Sequence, residues 1–158
     1  MKIALASDHA GFQLKERIGA ALRADGHEIV DFGTDSEESV DYPDFAEPAA
    51  REVAAGGAER GVLVCGSGVG VAIVANKVDG VRAVHAHDVD EAELSRRHND
   101  ANVITVGERT TPPEHAIQIV NSFLTTDFEA GRHQRRVEKI ALVEGHNTPD
   151  STAKEIYQ

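Results

Sequence analysis

A parallel β-sheet covered by helices on both faces is the architecture this sequence predicts. Two observations carry it. Short β-branched runs alternate with helical patterns along the chain, the arrangement that gives parallel strands joined by right-handed crossovers. One run, Gly61-Val62-Leu63-Val64-Cys65, has no polar–apolar alternation, as expected of a central strand buried on both faces. At 158 residues, 41% hydrophobic and 27% charged, the chain fits one domain with a sizeable core. The expected boundaries are 1–145 for the domain and 146–158 for a polar tail.

The elements follow in order. Ile3-Ala4-Leu5-Ala6 is the first strand; its apolar stretch is too short for a signal peptide. Gly11–Asp25 is a helix with Leu14, Ile18, Ala21 and Leu22 on one face, ended by Gly26. Glu28–Phe32 is the second strand, Pro43–Ala55 the second helix, and Gly61–Cys65 the third strand. A helix over Val69–Lys77 starts directly after a glycine-rich turn, and Val81–His85 is the fourth strand. Asp88-Val89-Asp90-Glu91 has the form of a capping box opening a helix to about His98. Asn102–Val106 is the fifth strand. Thr111-Pro112-Pro113-Glu114 then supplies an N-cap and a first-turn proline for a helix with Ile117, Val120 and Leu124 on its apolar face. Arg132–Glu144 is the last helix.

Composition removes several function classes. A net charge of −11 repels nucleic acid and anionic lipid, and 4% aromatics with no tryptophan disfavour base stacking. No apolar run approaches a membrane span. A single cysteine forbids an internal disulfide and makes a reducing cytoplasm the default. A small anionic substrate remains compatible, because a local basic cluster can still bind one phosphate.

Ligands on such folds sit beyond the carboxyl ends of the strands. That rule selects Ser7–Gly11, Cys65–Gly70, His85–Asp88 and Gly107–Thr110. In Cys65-Gly66-Ser67-Gly68-Val69-Gly70 a strand ends in a thiol, and three glycines alternate before a helix. Successive N–H groups there can form an anion nest, and the same field favours a thiolate. A thiolate beside such a nest suits proton abstraction next to a carbonyl. A buried cysteine before a tight turn is the competing reading. The stretch is neither G-x-G-x-x-G nor a Walker loop. Asp8 and His9 can move a proton or bind phosphate, or Asp8 can simply cap a helix. His98 can be chemical or a cap on the helix dipole. His85 and His87 have metal-ligand spacing only if both stay in the strand, which is expected to end between them, so a metal site is disfavoured. Arg132 and Arg136 are four apart, so on a helix they share a face that matches a phosphate or a solvated ion-pair surface.

Several stretches together resemble the type B ribose-5-phosphate isomerases, of the group that also contains galactose-6-phosphate and allose-6-phosphate isomerases. They are Ser7-Asp8-His9-Ala10-Gly11-Phe12, Asp41-Tyr42-Pro43-Asp44, Cys65-Gly66-Ser67-Gly68-Val69-Gly70, Ala75-Asn76-Lys77, Arg97-His98-Asn99 and Gly131-Arg132-His133-Gln134-Arg135-Arg136. The resemblance implies a Rossmann-like three-layer α/β/α sandwich whose five parallel strands run in the order 2-1-3-5-4. It also implies a cytoplasmic enzyme of the pentose phosphate pathway, with no metal or other cofactor. The assembly would be a homodimer, often paired into a homotetramer, with active sites shared between chains.

The resemblance also implies roles. Cys65 would take the proton from C2, Ser67 would help move protons between the oxygens, and the amides of Gly66, Ser67, Gly68, Val69 and Gly70 would hold an enediolate. His98, helped by Asp8, would open the furanose ring. His9, Arg132 and Arg136, with Arg109, would grip the phosphate, while Tyr42 and Asn99 line the sugar. His98, Asn99 and Arg109 would reach in from the partner chain. One branch of the family uses a glutamate a few residues beyond the cysteine position; Val69 stands there, so this chain resembles the cysteine branch. The expected reaction is interconversion of ribose 5-phosphate and ribulose 5-phosphate. The alternatives are isomerisation of an allose, galactose or tetrose phosphate, or a non-catalytic sugar-phosphate-binding module.

Overall fold

Alternate side chains of the central strands enter two separate apolar clusters, and that division builds the layers. The computed structural model describes residues 1–145; the tail expected over 146–158 lies outside them. Strands β1 (Lys2–Ser7), β2 (Glu28–Asp31), β3 (Arg60–Cys65), β4 (Ala83–His85) and β5 (Val103–Gly107) form one parallel sheet in the order β2-β1-β3-β5-β4. Helices α1 (Phe12–Ala24), α2 (Pro43–Ala54), α3 (Val69–Ala75), α4 (Val89–Asn99), α5 (Pro113–Thr125) and α6 (Gln134–Gly145) complete the chain. The sandwich and strand order agree with the expectation.

On one face Ile3, Leu5, Val62, Val64, Ile104 and Val106 meet α1, α4 and α5. Leu14, Ile18 and Leu22 are the α1 contribution, each worth about 1.5–3 kcal/mol when fully buried. On the other face Ala4, Ala6, Leu63 and Cys65 meet α2 and α3. That layer is built largely of small residues, with Ala46, Ala49 and Ala50 of α2 all buried against the sheet.

The differences from the sequence reading lie at element ends. His9–Gly11 form a separate 3-10 turn before α1. Asp88 caps α4 by accepting from Glu91 N–H at 2.8 Å, but Glu91 Oε2 accepts from His87 N–H rather than from Asp88, so the box closes one residue early. Strand β4 begins at Ala83 because Val81 N–H is taken by the Val78 carbonyl and Arg82 N–H by the Asn102 side chain. Helix α5 starts at Pro113, its N-cap is Pro112, and Thr111 makes no side-chain cap bond. Its buried face is Ala116, Ile119, Val120, Phe123 and Leu124, with Ile117 only at the margin. Arg132 falls in a second 3-10 turn, Gly131–His133, because Ala130 and Gly131 both take positive φ and redirect the chain before α6. Helix α6 buries only Val137; Ile140, Leu142 and Val143 are exposed.

Candidate active site

The carboxyl ends of β1, β3 and β5 hold the first group of predicted site residues. Gly11 lets the start of α1 settle on the end of β3: a Cβ there would lie 2.7 Å from the Val64 carbonyl carbon. That contact brings the β1 exit beside Cys65. Asp8 is buried, and its Oδ1 accepts from Gly11 N–H at 3.0 Å, so the residue does cap the first turn. Nδ1 of His9 lies 3.1 Å from the amide nitrogen of Val40 and 3.2 Å from its carbonyl oxygen, which pins the ring to the β2–α2 loop.

Cys65 ends β3 and is 5% exposed. Its Sγ accepts from Gly68 N–H at 3.0 Å. Gly68 has φ +78°, a left-handed conformation that turns the chain back toward the sulfur before α3 begins. Ser67 Oγ accepts from Val69 N–H at 3.2 Å and stands at the exposed rim. The Tyr42 ring covers Gly70, with Cζ 2.8 Å from where a Cβ would stand. The β5 exit is stitched to the same loop: Glu108 N–H donates to the Cys65 carbonyl and Arg109 N–H to the Gly66 carbonyl, both at 2.9 Å. The Arg109 guanidinium lies over Gly66, 2.9 Å from its absent Cβ. Arg109 therefore lies over the cysteine loop of its own chain.

The remaining predicted residues gather elsewhere. Helix α4 starts beyond the carboxyl end of β4 and runs back, so its last residues reach the amino edge of the sheet. Arg82, just before β4, marks that edge: its Nε donates to the Asn99 and Asp100 carbonyls at 3.0 and 3.1 Å. His98 is there, on the opposite edge from Cys65. Its ring stacks on His133, with centroids 4.3 Å apart. Nε of Arg132 and Nη1 of Arg136 each lie 3.4 Å from a ring nitrogen of His133. Glu129 Oε2 is 4.0 Å from Nε2 of both histidines. A groove of 520 Å³ beside this cluster is lined by Arg82, Asn99, Ile140 and Val143 among others. One chain thus carries two separate groups of predicted site residues: a thiol with an amide nest and Arg109, and a histidine pair with two arginines.

The neutral form of His133 is favoured, first by burial and then by His98, Arg132 and Arg136, with Glu129 in opposition. Sequence reasoning gave His133 and Glu129 no role. The available signal was their i, i+4 spacing next to Arg132. Among the described residues, His98, Glu129 and His133 are also the group whose ligand-type atoms converge, within 4.8 Å. The two neighbouring arginines set a positive field against a dication. His85 and His87, weighed as metal ligands from sequence, make an edge-to-face ring contact at 4.4 Å, and β4 ends at His85.

A thiol beside an amide nest on a parallel α/β sheet, with a histidine–arginine cluster at the far edge, is an arrangement that can carry out proton transfer next to a carbonyl. The chain belongs to the Ribose/Galactose Isomerase family, whose model matches residues 3–140. It is 48% identical over 143 residues to ribose-5-phosphate isomerase B of Escherichia coli (strain K12), covering 90% of this chain and 96% of the relative. A D-erythrulose-4-phosphate isomerase of Pectobacterium atrosepticum is 39% identical over 145 residues, covering 91% and 95%. The solved structure of Clostridium thermocellum ribose-5-phosphate isomerase B superposes with a TM-score of 0.92 at 44% identity, covering 94% of this chain and all of the other.

Proposed function

We propose that this enzyme interconverts ribose 5-phosphate and ribulose 5-phosphate through an enediolate, with Cys65 as the base. The observation that carries the reading is the Cys65 sulfur seated on the Gly68 amide at 3.0 Å, at the mouth of the glycine nest. In the forward direction the thiolate removes the proton on C2, and electron density moves to O1 of the aldehyde. The amides from Gly66 to Gly70 stabilise that oxyanion. Ser67 passes the proton of the C2 hydroxyl to O1, and the Cys65 thiol returns its proton to C1. C1 is thereby reduced, C2 is oxidised, and no external electron acceptor is needed. Asp8, His9, Tyr42 and Arg109 would act from the same chain, Tyr42 lining the sugar and His9 and Arg109 at its phosphate.

Ring opening by His98 and phosphate binding by Arg132 and Arg136 need a second chain, because these groups stand at the opposite edge from Cys65. The assembly we propose is a homodimer in which the amino-edge cluster of one protomer closes the thiol half-site of its partner, with Asn99 lining the sugar. Exposed apolar side chains support this: Val69 and Ile73 on α3, and Ile140, Leu142 and Val143 on α6. Sugar length is then set by the docking of two chains. Among the described residues no helix is long and apolar enough to cross a membrane; the lone cysteine fits a reducing cytoplasm. Initial rates on four-, five- and six-carbon aldose phosphates test the substrate assignment. The five-carbon substrate is expected to give the highest kcat/KM, and a higher value for a tetrose or hexose phosphate would replace it.

A further inference from the structure

The loop that presents Cys65 is also held from behind, by residues the reaction itself does not use. We propose that His85 and Thr105 form a tether that positions the Gly68 peptide on the Cys65 sulfur; the proposal rests on Cys65 being the base. Thr105 lies in mid-β5, fully buried, opposite His85 of β4 and Leu63 of β3 in the sheet register. It alternates with Ile104 and Val106 of the α1/α5 face, so its side chain enters the α2/α3 face that Cys65 shares. A hydroxyl buried there is costly unless it is hydrogen-bonded. Thr105 Oγ1 donates to the Gly68 carbonyl oxygen at 2.7 Å.

His85 completes the tether. Its Nδ1 is 3.2 Å from both the Thr105 carbonyl oxygen and Thr105 Oγ1. A carbonyl only accepts, so Nδ1 carries the hydrogen. Oγ1, having given its own proton to Gly68, accepts as well. The direction is therefore fixed: His85 Nδ1–H to Thr105 Oγ1–H to the Gly68 carbonyl. From the same residue, Gly68 N–H continues to Cys65 Sγ at 3.0 Å. Glycine at φ +78° has no side chain to hold its backbone, and the tether supplies that restraint. The imidazole also packs directly behind it, its Cε1 2.5 Å from where a Gly68 Cβ would stand.

The imidazole is suited to remaining neutral. Burial holds His85 below the ordinary histidine range, and nearby His87 adds to this; the Thr105 carbonyl and Glu91 oppose it. Lys77, just past the end of α3, lines the same surface recess as His85. An N–H aimed at the sulfur favours its anionic form, and an unrestrained one does so less. His85 and Thr105 are thus positioning residues, acting through Gly68.

The test uses the full-length enzyme with Thr105→Val, Thr105→Ser and His85→Leu. Loss of one positioned hydrogen bond predicts that Thr105→Val lowers kcat by about three- to tenfold with KM nearly unchanged. The acidic limb of its kcat/KM profile should move to higher pH. Thr105→Ser should recover most of the loss, and His85→Leu, on an edge strand, should shift both readouts in the same direction. Because Cys65 is the only thiol, its alkylation by iodoacetamide, followed by mass, reads the loop without turnover; Thr105→Val should slow it about threefold at pH 7. Unchanged kcat, pH limb and alkylation in both Thr105→Val and His85→Leu overturn the tether, as does a serine variant no better than the valine one. If instead Cys65→Ala still turns over while Thr105→Val slows alkylation, the base assignment fails and the tether stands.

Discussion

His98 and His133 stack with their ring centroids 4.3 Å apart and their planes 14° from parallel. The two come from α4 and from the 3-10 turn before α6, so the contact joins the end of the domain to the body. It also bears on His133, whose protonation the neighbouring His98 ring disfavours. Two imidazolium rings at that spacing, beside Arg132 and Arg136, repel, and His133 is the more buried member.

The first prediction is a pH dependence of stability. His133 and His85 both have folded-state pKa values below the ordinary 6.5, each chiefly through burial. Between the lowered value and 6.5 the unfolded chain binds more protons than the folded one, so stability rises with pH there and levels off above about 6.5. The melting temperature should fall as pH drops from 7.5 to 5.5. His133→Gln should flatten that slope. An equally steep slope in the variant would assign it to other groups.

Removing the thiol is the second test. Cys65→Ala should cut isomerisation by about 10²–10⁴, the range expected when a positioned general base is lost. The fold should survive, because Cys65 packs against an alanine- and valine-rich layer that accepts a smaller side chain. Alkylation of the parent should abolish turnover, and bound substrate should slow it. The measurement is turnover beside circular dichroism, and a folded, active variant would point to another base.

The phosphate grip is the third. A charge-assisted bond is worth about 1.5–3 kcal/mol, so Arg136→Ala should raise KM by about ten- to a hundredfold. Part of that energy positions C2 over the sulfur, so kcat should fall as well. Inorganic phosphate should compete with substrate in the parent and much less in the variant. A merely solvated helix face predicts unchanged kinetics and unchanged inhibition by phosphate.

The order of elements was legible in the sequence because it rests on periodicity and on few punctuating residues. The unalternating run ending at Cys65 could only be central, and the glycines after it could only be a turn. Periodicity and spacing do not carry the distribution of these residues over two edges; only the family resemblance pointed to a shared site. Cys65 and Arg109 come together through strands paired in register, Cys65 opposite Gly107. His98 lies only eleven residues before Arg109 in the sequence, yet one helix direction separates them by the height of the sheet. Hydrogen bonds decided the finer points. The role of Thr105 depends on a rotamer and on an acceptor 37 residues away, which no local pattern encodes.

That separation supplies the last prediction. If each active site takes its thiol half from one chain and its histidine–arginine half from the other, two inactive variants can restore one another. Cys65→Ala keeps the amino-edge cluster and lacks the base; His98→Ala keeps the base and lacks the ring-opening imidazole. Each alone should turn over ribose 5-phosphate poorly. In a mixed dimer, the His98→Ala chain brings its thiol to the intact His98 of the other chain, forming one complete site. The second site of that dimer lacks both groups. Random pairing of equal amounts makes half the dimers mixed, each with one working site of two, so activity should return to about one quarter of the parent value. The measurement is activity after the two variants are mixed, partly unfolded together and refolded, against each treated alone. Recovery near that fraction requires a shared site. No recovery, with mixed dimers demonstrated by native mass spectrometry, would confine the chemistry to one chain and detach His98 from it.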